Sequence, residues 1–271
     1  GVEIAVTWND HIGKDFTYSL GVNAAYNKNK VTRIANTEGI IHGNTGAIDV
    51  STAEFYRAQV GYPIGYFWGY KTAGVFQNQQ QINDWRAAGN GFAQADPQPG
   101  DLIYVDTNKD GVINDEDKTM IGNPHPDWNL GLNLSLGYKG FDFSATAAGA
   151  FGQQLIFGTR QSTIYAFDRW HGEGTSNRFP RLTTNAALSE HVNDTWVENG
   201  DYLRMQNITL GYDFKHIWRN SPLQRMRLYV TVQNLFTITG YKGMDPEVGF
   251  GGADRYGQNA TSWVTGIDMG S

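Results

Sequence analysis

Runs of about eleven residues in which apolar and polar side chains alternate recur along this chain, and they constrain its fold more than any other feature. Phe16, Tyr18, Leu20, Val22, Ala24 and Tyr26 alternate with Thr17, Ser19, Gly21, Asn23 and Ala25. Leu130, Leu132, Leu134, Leu136 and Tyr138 alternate with Gly131, Asn133, Ser135 and Gly137. Lys139-Gly140 then turns the chain into Phe141, Phe143, Ala145, Ala147, Gly149 and Phe151, a hairpin with a very short connection. Val2 to Trp8, Ile208 to Phe214 and Met226 to Gln233 repeat the pattern, with a turn expected at His11-Ile12-Gly13. Tyr62–Phe76 and Leu155–Phe167 are weaker strand candidates, bringing the expected total to about eight. A side-chain period of two puts every second residue on one face of a sheet.

The connections are uneven. Short turns alternate with long segments at 29–60, 77–127 and 168–200, whereas a soluble sandwich spaces its turns more evenly. Short turns on one side and long loops on the other, with strands of about 9–11 residues, are the pattern of an antiparallel transmembrane β-barrel. Trp8, Tyr26, Tyr138, Phe141, Tyr212 and Phe214 fall near the expected strand ends, where aromatic girdles form. The 33 glycines and 36 aromatic residues (14 Tyr, 14 Phe, 8 Trp) suit turns, twisted strands and such girdles. Alternation also explains how mean hydropathy stays at −0.46 in a membrane protein, since only one row needs to be apolar. No apolar stretch is long enough for a transmembrane helix.

Other function classes find little support. A net charge of −6 argues against a nucleic-acid partner, and the absence of cysteine removes disulfides and Cys-zinc sites. No nucleophile elbow, phosphate loop, zincin pattern or dinucleotide fingerprint is present, so no catalytic residue is assigned. His171 and Glu173 lie close in sequence but make no active site by themselves, and His125 between Pro124 and Pro126 reads as a rigid loop residue.

The sharpest local motif is Asp106-Thr107-Asn108-Lys109-Asp110-Gly111-Val112-Ile113-Asn114-Asp115-Glu116-Asp117. It matches the calcium-loop template at positions one, three, five and six, with a carboxylate at position twelve. Asp106, Asn108 and Asp110 supply hard oxygens, Gly111 permits the sharp turn, the Val112 carbonyl adds a ligand, and Asp117 closes the set. Aspartate where the template has glutamate weakens bidentate ligation, and Leu102–Val105 before the loop reads as a strand rather than a helix. A structural calcium ion is expected, with a metal-free acidic turn as the alternative. Trp68, Trp85 and Trp170 are the side chains able to stack on sugar rings, although packing and girdle placement are the ordinary uses of tryptophan.

Several segments, in order, carry a resemblance. They are Gly61–Tyr70 (GYPIGYFWGY), Pro99–Asp106 (PGDLIYVD) leading into the acidic loop, Ile121–Trp128 (IGNPHPDW) and Trp170–Asn177 (WHGEGTSN). Tyr202–Tyr212 (YLRMQNITLGY), Gln233–Phe236 (QNLF) and Asp245-Pro246-Glu247 complete the series. Together they resemble the C-terminal barrel of the SusC/RagA family of TonB-dependent outer-membrane transporters. The resemblance implies residues 1–271 of a barrel of about 22 strands filled by a plug, with the remaining wall, plug and TonB box outside this chain. It further implies a bacterial outer-membrane location, a SusD-like surface lipoprotein, energy from TonB, and import of glycans or peptides. It also supports metal binding at Asp106, Asn108 and Asp110. A soluble, calcium-stabilised β-domain that binds glycans at a cell surface remains the alternative reading, because a soluble sandwich shows the same alternation.

Overall fold

The computed structural model describes residues 1–45, 53–158, 167–183, 191–218, 222, 226–243, 245–248 and 266–268. The chain opens with two antiparallel strands, β1 (Val2–Ile12) and β2 (Phe16–Tyr26), joined by a tight turn at Gly13-Lys14-Asp15. It then runs through β3 (Ile40–His42), β4 (Tyr56–Gln59), β5 (Tyr66–Gly69), β6 (Thr72–Val75), helix α1 (Gln79–Ala87), β7 (Leu102–Tyr104) and β8 (Thr119–Gly122). Two more long strands follow, β9 (Trp128–Tyr138) and β10 (Phe141–Phe151). After β11 (Gln154–Phe157) and β12 (Val197–Asn199) come the last long pair, β13 (Tyr202–Asp213) and β14 (Arg227–Thr239), and finally β15 (Ile267–Asp268).

These elements form two compact units. The first (1–28, 126–153 and 199–242) is a six-stranded antiparallel sheet in the order β1-β2-β9-β10-β13-β14. Each strand pairs with the next long strand in the chain, as in an up-and-down barrel wall. The registers align the apolar rows. Val6 faces Val22, which faces Leu132, which faces Ala147; Trp8, Leu20, Leu134, Ala145, Ile208 and Val232 form the adjoining row. The opposite face carries Thr7, Gly21, Asn133, Thr146 and Asn207, then Asn9, Ser19, Ser135, Ser144, Thr209 and Thr231.

The second unit (29–125, 154–198 and 243–271) contains the short strands and α1. A four-stranded sheet β3-β4-β5-β8, a pair β6-β7 and a three-stranded sheet β12-β11-β15 surround buried aromatic and aliphatic clusters. One cluster holds Phe55, Tyr56, Phe67, Ile121, Ile156, Trp196 and neighbours; another holds Tyr70, Val75, Leu102 and Tyr104. Helix α1 begins at Asn78, whose side chain caps the Gln81 amide, and buries Ile82 against Phe76 and Ile103.

Four sequence expectations need amending. The long sheet has six described strands rather than eight. Tyr62–Phe76 does not cross the sheet but splits into β5 and β6 within the second unit, because its aromatics and glycines do not alternate. Of Leu155–Phe167, residues 155–157 form part of short β11, and 159–166 lie outside the described residues. The first turn also comes later: β1 continues through Ile12, leaving Trp8 within the strand opposite Leu20.

Candidate functional site

Two features need explanation: the exposed face of the long sheet and the acidic loop of the second unit. On the sheet, Val2, Ile4, Val6 and Trp8 are 59–62% exposed, and Leu20, Val22, Leu132, Leu210, Val230 and Ile238 are also open. In water each such side chain forgoes roughly 1.5–3 kcal/mol of burial energy. Against hydrocarbon the row is already in its preferred solvent, and pairing within the sheet satisfies the backbone. Aromatic contacts bound the row at both ends. Tyr26 packs on Trp128 at 4.9 Å between ring centroids. At the short-turn end Phe141 packs on Tyr212 at 4.4 Å, Tyr212 on Phe214 at 5.2 Å, and Phe16 lies 6.5 Å from Tyr138. This is the girdled outward face expected of a transmembrane barrel.

The QNLF segment of the last long strand, 233–236, sits at an irregularity in the sheet pairing. Asn234 has a φ of +49° at an irregularity where the β13–β14 register shifts. Asparagine tolerates this left-handed backbone better than most residues. A matching shift between β13 and β10 changes the parity of β13 at Gln206, so Met205 and Leu203 join the apolar row beside Ala147 and Gly149. Simple alternation read back from Ile208 assigns that row wrongly and ends the strand early; such bulges have no periodic signal.

In the second unit, Leu102–Tyr104 leads into the acidic loop as a strand, as expected, and no helix precedes it. Asp106 accepts the backbone N–H groups of Lys109 (2.6 Å), Asp110 (3.2 Å) and Gly111 (2.7 Å), folding the loop around its carboxylate. Gly111 has a φ of +83°, the sharp turn that only glycine takes without strain. Asn108 donates to Asp110 at 2.9 Å, and Asp110 accepts the Val112 N–H at 2.8 Å. Asp106, Asn108 and Asp110 are therefore drawn together on an exposed loop. Their all-oxygen donor set suits a hard cation such as calcium rather than zinc or copper. Among the described residues, no three His, Cys, Asp or Glu side chains gather as metal ligands.

Asp117 takes a different place. Fully buried, it accepts the Thr107 N–H at 2.7 Å and the Asn114 N–H at 2.9 Å, while Asn114 caps the short turn 115–117. Asn114 and Asp117 thus form a capping box, a spacing that was present in the sequence but overshadowed by the metal template. Asp115 pairs with Lys118 at 2.8 Å and accepts a hydrogen bond from the Tyr70 hydroxyl. Lys118 holds the Asp115 carboxyl below its usual range, chiefly by hydrogen bonding, against the opposing effect of burial. Burial, reinforced by Asp115, pushes the Tyr70 phenol above its usual range.

The three tryptophans lie in separate surroundings. Arg57 covers Trp68 at 3.9 Å from the ring centroid. Trp85 donates to the Gly91 carbonyl and packs on Phe76. Trp170 packs on the cluster of Tyr70, Val75, Leu102 and Tyr104 and donates to Gln77 at 3.3 Å. His125 lies within hydrogen-bond distance of the Ile64 carbonyl, 2.8 Å, consistent with a rigid loop. His171 contacts the Arg169 carbonyl, while Glu173 accepts from Asn78, so this pair shares no catalytic arrangement.

No family model matches the chain. TonB-dependent receptor P3 of Formosa agariphila is 28% identical over 285 residues, covering 100% of this chain and 27% of the relative. TonB-dependent receptor SusC of Bacteroides thetaiotaomicron is 29% identical over 277 residues, covering 99% of this chain and 26% of the relative. The RagAB peptide transporter is similar in structure, with a TM-score of 0.63 and 18% identity, over 90% of this chain and 26% of that one. The RagAB peptide importer in its open-open state gives a TM-score of 0.60 at 20% identity, over 90% of this chain and 25% of that one. The chain spans about a quarter of the length of these curated relatives. The resemblance to SusC/RagA transporters therefore holds along the chain, and with it the antiparallel barrel-wall fold and the outer-membrane location. The relatives are receptors and transporters rather than enzymes.

Proposed function

We propose that residues 1–271 are the C-terminal part of the barrel of a TonB-dependent importer. In this reading the importer works with a SusD-like surface lipoprotein to take up oligosaccharides or oligopeptides. The observation that carries it is the continuous apolar face of the six-stranded sheet, bounded by aromatic contacts and backed by a polar face of Gly, Ser, Thr and Asn. The small polar side chains suit a water-filled or plugged lumen. The second unit would supply the extracellular loops toward lipoprotein and substrate, and TonB would act through parts of the protein outside this chain.

Within that unit, calcium would be held by Asp106, Asn108, Asp110 and the Val112 carbonyl, with Asp117 closing the loop. Its role would be structural, neutralising the acidic trio and fixing the connection between β7 and β8. Substrate stacking on Trp68, Trp85 or Trp170 draws least support, since each ring already packs on protein neighbours.

The test is uptake by cells carrying the whole transporter. Fluorescent oligosaccharides and oligopeptides should differ, with one class accumulating only when the transporter and TonB are both present. Uptake of both classes left unchanged by deletion of the transporter would sink the proposal.

A further inference from the structure

Three places in the chain set an Asn or Asp directly before a glycine: Asn90-Gly91, Asp110-Gly111 and Asn199-Gly200. Such pairs share one reaction, because glycine has no Cβ to shield its backbone nitrogen from the preceding side chain. The fold treats the three differently. The Gly111 N–H donates to the Asp106 carboxylate at 2.7 Å, and the Gly200 N–H donates to the Gln153 carbonyl at 3.0 Å. Asn199 is engaged as well, its Oδ1 accepting the Asp201 N–H at 2.8 Å. The Gly91 N–H has no hydrogen-bond partner among the described residues.

Asn90 also closes helix α1. The Gly89 N–H bonds to the Arg86 carbonyl at 3.0 Å and the Asn90 N–H to the Trp85 carbonyl at 3.3 Å, a Schellman ending with Gly89 at a φ of +79°. The Asn90 side chain brings a second donor, Nδ2, to the same Trp85 carbonyl at 3.3 Å, and the Trp85 indole donates in return to the Gly91 carbonyl at 3.1 Å. Gly91 lies close against the acidic loop: a Cβ there would sit 2.7 Å from the Gly111 carbonyl oxygen.

We propose that Asn90 is a self-modification site whose conversion to aspartate and isoaspartate unfastens the end of α1. The Gly91 nitrogen bonds to Asn90 Cγ, the Cγ–Nδ2 bond breaks, and ammonia leaves with the Gly91 amide proton. Water then opens the resulting succinimide at either carbonyl, giving aspartate or, with the backbone rerouted through Cβ, isoaspartate. Either product loses the Nδ2 donor and gains a carboxylate at the helix end where negative charge is least favoured. Isoaspartate also lengthens the main chain by a methylene, and the close approach of Gly91 to Gly111 leaves little room for it.

The test holds the whole transporter at mildly alkaline pH, folded in detergent and separately unfolded in denaturant. Peptide mass spectrometry follows each site, with an isoaspartyl methyltransferase marking the isomerised product. In the folded protein residue 90 is expected to convert roughly five- to tenfold faster than residue 199, the factor that one backbone hydrogen bond withholds. In the unfolded chain the two should convert alike, since both precede glycine. Equal rates at 90 and 199 in the folded protein, or conversion at 90 only after unfolding, would overturn the site. The consequence is read on Asn90→Asp, in which amide exchange across residues 85–91 should quicken relative to the parent. Exchange as slow as the parent's in that variant would overturn the unfastening.

Discussion

Arg227 on β14 reaches across β13 to form a two-point ion pair with Asp142 on β10, and it passes directly over Gly211. A Cβ at Gly211 would lie 2.6 Å from both the Arg227 guanidinium and the Asp142 carboxylate. The glycine is therefore the space through which the two outer strands are linked on the polar face. Fork-to-fork geometry fixes direction as well as attraction, so the pair ties together three strands whose backbone bonds link only neighbours.

Gly211→Val should break this link more thoroughly than Asp142→Asn, because it displaces the arginine as well as weakening its partner. Thermal unfolding followed by β circular dichroism should rank the parent first, Asp142→Asn next and Gly211→Val last. Equal melting of parent and Gly211→Val would show that the bridge adds nothing to the wall.

The acidic loop permits its two roles to be separated. Asp117→Ala removes the acceptor of three backbone N–H groups in a buried place, and should cost about 1–3 kcal/mol with or without calcium. Asp110→Ala should instead abolish a calcium-dependent gain, seen as a rise in melting temperature on calcium addition to the parent alone. Calorimetric titration should register heat for the parent and at least a tenfold weaker response for Asp110→Ala. Identical responses at every calcium level would leave the loop as a metal-free turn.

His42 lies between two carboxylates, 2.8 Å from Glu54 and 3.1 Å from Glu38, and these hydrogen bonds raise its pKa above 6.5. Glu54 is also held by Arg57, the remaining charged group of the cluster. Because the folded pKa is raised, the contribution of His42 to stability is fully present below 6.5 and fades as pH rises through the folded value. Amide exchange in β3 should therefore quicken from mildly acidic to mildly alkaline pH beyond the intrinsic base-catalysed increase. In His42→Ala that extra pH dependence should disappear. A parent and variant with the same corrected profile would contradict the clamp.

At Asn234 the left-handed backbone sets a narrow side-chain requirement. Asn234→Gly should be tolerated, whereas Asn234→Val should cost about 1–2 kcal/mol through steric strain. Denaturant unfolding of the two variants in detergent compares them directly, and equal midpoints would mean that the bulge relaxes freely.

Much of the wall was legible because alternation is a one-dimensional record of a two-faced sheet. Leu130–Tyr138 and Phe141–Phe151 needed only a turn at Lys139-Gly140 to become β9 and β10. β13 was only half legible: its bulge resets the parity between Met205 and Ile208, and no local propensity marks that shift. The second unit was legible mainly at its acidic loop, where Gly111 and the spaced oxygens are local requirements. Its short strands depend on contacts remote in sequence, such as Tyr70 with Val192 and Asp194, and so their aromatic-rich segments looked like candidate wall strands. The inward role of Asp117 was hidden because the same carboxylate spacing serves both a metal loop and a capping box.

The central claim concerns which row of the sheet meets lipid. Since these 271 residues contain no cysteine, spin labels can be placed singly at Val22→Cys, Asn23→Cys, Leu132→Cys and Asn133→Cys without removing native thiols from this chain. In the whole transporter reconstituted in bilayers, labels at 22 and 132 should collide preferentially with apolar oxygen, and labels at 23 and 133 should not. Equal, water-like accessibility of both rows to a polar nickel complex would contradict the barrel wall.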